Sequence, residues 1–492
     1  MPNITFLQMS AAESPVSGLG GALLVALLAF ALVAGIFIGF YLITLNAGKV
    51  KEKVYKGSVI PLTIAGIAIA GFVVRILMAS FLDADVSALA ALSDADMNTV
   101  YAGGVISFQP LTVYIVSFFG GMAGLFNVTG ETSMRLFLTM PFMLADAGVF
   151  LLLYFIASRY LNKAVSIVLA SMVYLNPAVF WNSAVGLHFN AITALLLVAV
   201  LYFMLKRNFA AMIFLYAAAI MTDTFALVFF PPVIILSIYY HVRAIQRARN
   251  QRVGFVPKKL WEDADLRPSL SIPLYLLGAL AAMYIITLPL LEPLGFNPFS
   301  AFIFNFMILP IGNLTIFGNN SLSIYNIFNR NQLPLGSGFP NVFFGWAFTA
   351  LIFGIVAFVY FSKKNRANLA LASIYAAVTV ALFYLGFNES TLVPILALFV
   401  LAYIIIQDKR IMQVFTVLSL AIFVNAATAY ASGDMTSGGG LAVSIVASAL
   451  AIMAHVYFTY VVLDIAMSGN RKQIRVFDTK PNFADAVVNW IK

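Results

Sequence analysis

A succession of apolar runs, each close to the length of a bilayer crossing, constrains this chain more than any other feature. They fall at about 19–45, 59–81, 110–128, 134–158, 163–182, 188–205, 209–240, 271–291, 341–362, 367–386, 391–406, 411–430 and 440–466. A helix rises 1.5 Å per residue, so roughly 20 apolar residues cross a hydrocarbon core. Within lipid each backbone N–H and C=O needs a partner in its own segment, which makes these runs helices. Soluble surfaces need roughly a quarter charged residues, and this chain has 10% charged against 62% hydrophobic. The expected fold is an all-α, polytopic membrane bundle of about thirteen transmembrane helices, with external loops at 82–109 and 292–340.

Short basic loops set the expected orientation. Lys49, Lys51, Lys53 and Lys56 follow the first run and mark a cytoplasmic loop, which places the N-terminus outside. The strongest marker is 241–268, where Arg243, Arg247, Arg249, Arg252, Lys258, Lys259 and Arg267 outnumber Glu262, Asp263 and Asp265. Strict alternation from 59–81 delivers Asp83 and Asp85 to the outer face and meets 241–268 on the inner face, provided that 209–240 is one long span. It then puts Arg159/Lys163 and Lys206/Arg207 outside, against their charge. Asp223 and Pro231-Pro232 leave open the alternative that 209–240 is two half-helices. The organisation read from this is an extra helix and cytoplasmic loop at 1–56, a central module at 57–340, and C-terminal helices with a short cytoplasmic tail at 341–492.

Composition excludes several chemistries. The chain has no cysteine, so disulfides, thiolate nucleophiles and thiolate-held metals are out. His188, His241 and His455 lie far apart in sequence, so no histidine-rich metal site is expected, although carboxylates such as Asp83, Asp85 and Asp146 could still hold a divalent ion. The net charge of +9 resides in loops between spans, which is a topology signal with lipid attraction and implies no nucleic-acid partner.

The stretch from Arg75 to Leu111 holds the first candidates for chemistry. An apolar helix ends in Asp83-Ala84-Asp85, and apolar sequence resumes at Pro110. Two carboxylates at a helix end suit a general base, or are solvated end residues. Asp146, Asp223 and Glu389 lie within or beside apolar runs, where ionisable groups are costly and either functional or paired between helices. Arg75 lies two turns below Asp83 and either snorkels, pairs with Asp146 or contributes to a site. The long Asn-, Phe- and Gly-rich stretch 292–340 reads as a binding loop or lid.

The order of these elements resembles the C-type (GT-C) membrane glycosyltransferases. Asp83-Ala-Asp85, Val100-Tyr101-Ala-Gly-Gly104 and Phe108-Gln-Pro-Leu111 look like that family's first external loop. Arg135-Leu136 with Asp146 and Tyr154, then Leu175-Asn176-Pro177, Asn182-Ser183 and Gly186-Leu187-His188-Phe189-Asn190, are similar to its following helices, and Tyr325-Asn326 to its late loop. The resemblance covers about 57–395.

It implies a transferase that moves a hexose from a polyprenyl-phosphate donor to a glycan, lipid or protein acceptor, with inversion. Asp83 or Asp85 would be the base, and Arg75, Asp146, His188, Asn190, Arg330, Asn388 and Glu389 would bind substrate and phosphate. It implies no cofactor beyond the lipid-phosphate sugar, and an active site on the external face of a prokaryotic cell membrane. His188 and Asn190 stand where many members have Gln and Asp, and Asn388-Glu389 where many have His-Glu. Those departures motivate a non-catalytic GT-C-like subunit as an alternative, beside a transporter or flippase for a lipid-linked sugar.

Overall fold

The computed structural model describes residue 35 and residues 59–81, 86–94, 109–128, 130–250, 257–263, 266–291, 322–327, 339–363, 366–383, 389–432 and 438–468. The first apolar run, Asp83, Asp85, Arg330, Asn388 and most of both long loops lie outside the described residues. In chain order the helices are α1 (Val59–Phe81), α2 (Ser87–Asp94), α3 (Pro110–Leu125), α4 (Glu131–Ala157), α5 (Lys163–Tyr174), α6 (Pro177–Ala184), α7 (Asn190–Leu205), α8 (Phe209–Ile220), α9 (Phe230–Asn250), α10 (Pro257–Glu262) and α11 (Pro268–Leu291). After them come α12 (Ile324–Ile327), α13 (Phe339–Lys363), α14 (Arg366–Phe383), α15 (Val393–Ile406), α16 (Lys409–Ser432) and α17 (Gly438–Ser468). Short 3-10 segments, Thr224–Phe229 and Glu389–Leu392, lead into α9 and α15. Among the described residues there is no strand.

The chain is an all-α, multi-pass membrane protein, as its apolar runs require. Among the described residues six helices are long and apolar enough to cross a bilayer, and α5 with α6, bent by 49°, makes a seventh if the pair is one broken span rather than a re-entrant loop. One buried cluster runs from Ile64 on α1 to Ala466 on α17, with α15 buried along its whole length between α7, α14 and α16. A helix that is apolar on every side belongs at the centre of such a bundle. The outward faces of α1, α11 and α17 expose Leu62, Ile69, Leu277, Ile285, Val456 and Tyr460, a surface suited to lipid.

Contacts fix which helix ends lie together. Arg159 donates to the Tyr202 hydroxyl at 2.7 Å, and the Lys206 ammonium lies 5.8 Å from the Tyr160 ring centre and 5.9 Å from that of Tyr202. Arg207 and Arg243 both lie within electrostatic reach of Tyr360 near the end of α13. At the opposite end, Leu111 N–H donates to the Met221 carbonyl and the Thr112 hydroxyl to the Thr222 carbonyl, each at 2.9 Å.

These contacts correct the expected topology in two places. The run 209–240 is broken at Met221–Asp223: the Asp223 side chain accepts from the Phe225 N–H at 2.9 Å and caps a new helical start. The run 110–128 does not cross, because α3 starts beside Met221 and ends at the short turn into α4, whose far end carries Arg159. Counting one run too many and another too few preserved the alternation at Asp83 and at 241–268, but inverted Arg159/Lys163 and Lys206/Arg207 between them. All these basic pairs lie at one end of the bundle, as their charge alone suggested.

The absence of native cysteine makes this testable. Single-cysteine variants Arg159→Cys, Arg207→Cys and Arg243→Cys should react with an impermeant maleimide from one face, and Phe126→Cys from the other. Labelling of positions 159 and 207 from the side opposite to 243 would restore the strict alternation.

Candidate functional site

The site is built around the break in the α5–α6 span. Pro177 has no N–H to continue a helix, and Asn176 before it caps α6 by accepting from the Ala178 N–H at 3.0 Å. That bond diverts the N–H that would otherwise meet the Tyr174 carbonyl, so a backbone acceptor is left open inside the membrane. Arg75 fills the vacancy: its Nη2 donates to the Tyr174 carbonyl at 2.8 Å. A cation at the carbonyl end of a helix is also favoured by the helix dipole.

The rest of the guanidinium is engaged as well. Nε donates to Asp146 Oδ2 at 2.9 Å and is 3.3 Å from Ser183 Oγ, Nη1 donates to the Gly71 carbonyl at 3.0 Å, and Nη2 is 2.9 Å from Asp146 Oδ2. Its carbon lies 4.2 Å from the centre of the Tyr174 ring, which stacks on Phe150 and donates from its hydroxyl to the Ala68 carbonyl at 2.9 Å. Arg75 is 0% exposed and Asp146 3%. Gly71 admits the ring, since a Cβ there would lie 2.2 Å from Tyr174 Cε1. Of the expected phosphate-binding residues, Arg75 and Asp146 are therefore brought together as a buried pair that joins α1, α4 and the broken span.

Beyond α6 the chain turns sharply through Val185–Phe189. Leu187 adopts φ +53°, a left-handed conformation that costs an L-residue about 1 kcal/mol and is held by burial of its side chain among α2, α3 and α4. Gly186 sits against the His188 ring, where a Cβ would lie 2.7 Å from Cδ2. Enclosure pushes the His188 imidazole down to about pKa 4, because burial disfavours the charged ring. A neutral ring with so low a basicity is a weak general base and a useful hydrogen-bonding group.

Asn190, at the first position of α7, donates to Ser390 Oγ at 2.8 Å, and so ties this loop to the turn that Glu389 opens. The 182–190 segment and the 389–392 turn are thus neighbours, although Asn190 and Ser390 are 200 residues apart. The Asn190 side-chain oxygen and both polar atoms of the Asn182 carboxamide are buried without a partner. Such groups cost about 1–3 kcal/mol each unless something hydrogen-bonds to them. Among the described residues no three histidine or carboxylate side chains come together as a metal site.

Three contributors were missed in the sequence. Gly71 had a local signal, one helical turn before Arg75, whereas the Tyr174 carbonyl and Ser390 had none. Asp223, singled out only as a costly intramembrane carboxylate, is a helix cap whose burial pushes its pKa up to about 6.

A family model described as GPI transamidase subunit PIG-U matches residues 90–262, about a third of the chain. No curated protein matches the chain. The match corrects the expectation of a hexosyltransferase: the family that the sequence resembles is a transamidase subunit and no sugar-transferase family.

Removing one partner of a buried ion pair costs about 3–5 kcal/mol, because the other charge is left uncompensated. Arg75→Ala and Asp146→Ala should each lower the thermal midpoint in detergent severely, and the double variant should lose clearly less than the sum. Additive losses in that double-mutant cycle would show that the pair is not coupled.

Two pH effects of opposite sign follow. The folded His188 has a depressed pKa, so its contribution to stability is lost as pH falls from about 6.5 towards 4, and His188→Gln should remove that loss. The folded Asp223 carboxyl has a raised pKa, so stability is lost as pH rises from about 4 towards 6, and Asp223→Asn should stabilise the protein at pH 7.5 but not at pH 4. Thermal melts across that range read both.

Proposed function

We propose that this chain is a non-catalytic, GT-C-like subunit of a membrane transamidase-type complex, in the manner of the GPI transamidase subunit that its 90–262 segment resembles. The observation that carries the reading is that match. The structure supports it through the use made of the polar residues. Arg75, expected near a leaving phosphate, and Asp146, expected at the substrate, are spent on each other and on the backbone of a broken span. His188 is held neutral, and Asn190 bonds across to Ser390.

What the segment 182–190 offers is binding. Asn182 and Asn190 present unfilled amide positions beside a neutral imidazole, a set that accepts and donates hydrogen bonds without moving a proton. This polar loop lies at the end away from the basic residues, which the positive-inside rule assigns to the non-cytoplasmic side. A lipid-borne, hydroxyl-rich head group reaching that side is the ligand class that fits, and no cofactor is required.

The test is co-purification. Tagged chain extracted from its native membrane in mild detergent should carry further subunits in fixed stoichiometry, among them one with the nucleophile for transamidation. Asp83→Asn and Asp85→Asn should leave both the assembly and its activity intact. Isolation of the chain alone, or loss of activity from either substitution within an intact assembly, would sink the proposal.

A further inference from the structure

Two short turns at the basic end of the bundle bring cations from separate hairpins together. The α4–α5 turn carries Arg159 and leads into Lys163, and the α7–α8 turn carries Lys206 and Arg207. The turns interlock on two tyrosines: Arg159 Nη1 donates to the Tyr202 hydroxyl at 2.7 Å, and Lys206 Nζ lies 5.8 Å from the Tyr160 ring centre and 5.9 Å from that of Tyr202. Lys163 and Arg207, next along the chain, are exposed. Arg207 and Arg243 of α9 both lie within electrostatic reach of Tyr360, so the positive field runs on to α13.

Like charges gathered in this way repel unless an anion stands among them. Neither turn supplies one: 158–163 reads Ser-Arg-Tyr-Leu-Asn-Lys and 206–208 reads Lys-Arg-Asn. Described carboxylates at this end are engaged elsewhere, Asp263 with Arg247 and Asp408 and Asp464 with Arg410, while Glu262 lies one turn from Lys258 on α10. Two helices of 12 residues, α5 and α8, also begin here, capped by Asn162 on the Ala164 N–H at 3.0 Å and by Asn208 on the Ala211 N–H at 3.2 Å. Their positive dipole ends add to the cations.

Arg207 is an independent sign. Its N–H closes α7 on the Met204 carbonyl at 3.1 Å and the Asn208 N–H closes on Phe203 at 3.0 Å, an ending that puts Arg207 at φ +58°. Glycine takes this conformation without strain. The chain keeps an exposed guanidinium there instead, which packing does not explain. The depth is that of a head group. Leu144 and Leu151, exposed one heptad apart, mark a lipid-facing stripe of α4, and the next step along it is Ser158, immediately before Arg159. The cluster therefore stands where the apolar surface stops, at the level of the lipid phosphates. We propose that the turns at 159–163 and 206–208 together hold the phosphate of one anionic phospholipid, in the leaflet at the basic end of the bundle.

The experiment titrates the full chain, with any subunits that co-purify, with phosphatidylglycerol or phosphatidylcholine in detergent and counts retained lipid by native mass spectrometry. At limiting lipid the chain should retain one phosphatidylglycerol, and phosphatidylcholine about tenfold more weakly, the scale of one hydrogen bond to a charged group. Arg207→Gly should weaken phosphatidylglycerol by about tenfold on the same scale, while the thermal midpoint without lipid holds or rises because glycine relieves the left-handed residue. A purely structural arginine would give the stability change alone. Lys163→Gln, at an exposed side chain, should weaken retention likewise. Equal retention of the two lipids, or retention undiminished in both variants, overturns the site. Glycerol 3-phosphate raising the thermal midpoint as much as phosphatidylglycerol does overturns the lipid in favour of a soluble phosphate ester.

Discussion

The capping of a broken membrane span by Arg75 is the interaction on which the rest of this structure depends. Asn176 and Pro177 interrupt the α5–α6 helix inside the bundle, and an interruption there exposes backbone carbonyls that water cannot reach. One guanidinium supplies the missing donor, and Asp146 balances its charge. Each component would be costly alone: a free carbonyl, a buried cation or a buried carboxylate. Together they fix the depth of α1 against α4 and the angle at which α6 leaves the break, and so the position of the loop at Asn182 to Asn190.

This arrangement also explains why a GT-C-like order of residues need not imply GT-C chemistry. Arginine, aspartate and asparagine at these spacings satisfy a scaffold whose spans are bent and broken, whether or not a sugar is transferred. The match at 90–262 is to a model described as a transamidase subunit and names no sugar transfer, and Arg75 and Asp146 of this chain hold helices together. The neutral His188 and the unpartnered Asn182 carboxamide stand outside that arrangement.

Much of the fold was legible because hydropathy reports apolar length, and every helix above except the short α2, α10 and α12, which lie in segments read as loops, falls within or beside a run named from the sequence. Hydropathy does not report direction. Pro110–Leu125 looks like a span and is the short arm of a hairpin, while Asp223 ends one span and begins another with too little polar sequence around it to separate two runs. The charges carried the missing information: Arg159, Lys206 and Arg207 stood with Arg243 all along. At the site, the pairing of Arg75 with Asp146 was one of the readings open from sequence. Its acceptor at Tyr174 was not, because that carbonyl is released by the neighbouring asparagine cap and the side chain of Tyr174 itself plays a different part. Ser390 and Ser419 were invisible for a simpler reason, since nothing local links them to Asn190 and Asn176, whose amides they satisfy.

Those last two bonds bear on how the protein is made. The Asn176 amide meets Ser419, 243 residues later, and the Asn190 amide meets Ser390, 200 residues later. While the N-terminal helices enter the membrane, the break at 175–177 has its arginine but not its serine, and the 182–190 loop has no tether. The early helices therefore remain an unfinished half until the 389–392 turn and α16 emerge from the ribosome, and a chain halted before them would carry the Asn176 and Asn190 amides unpaired. Membrane quality control has a chemical mark by which to tell a truncated copy from a complete one.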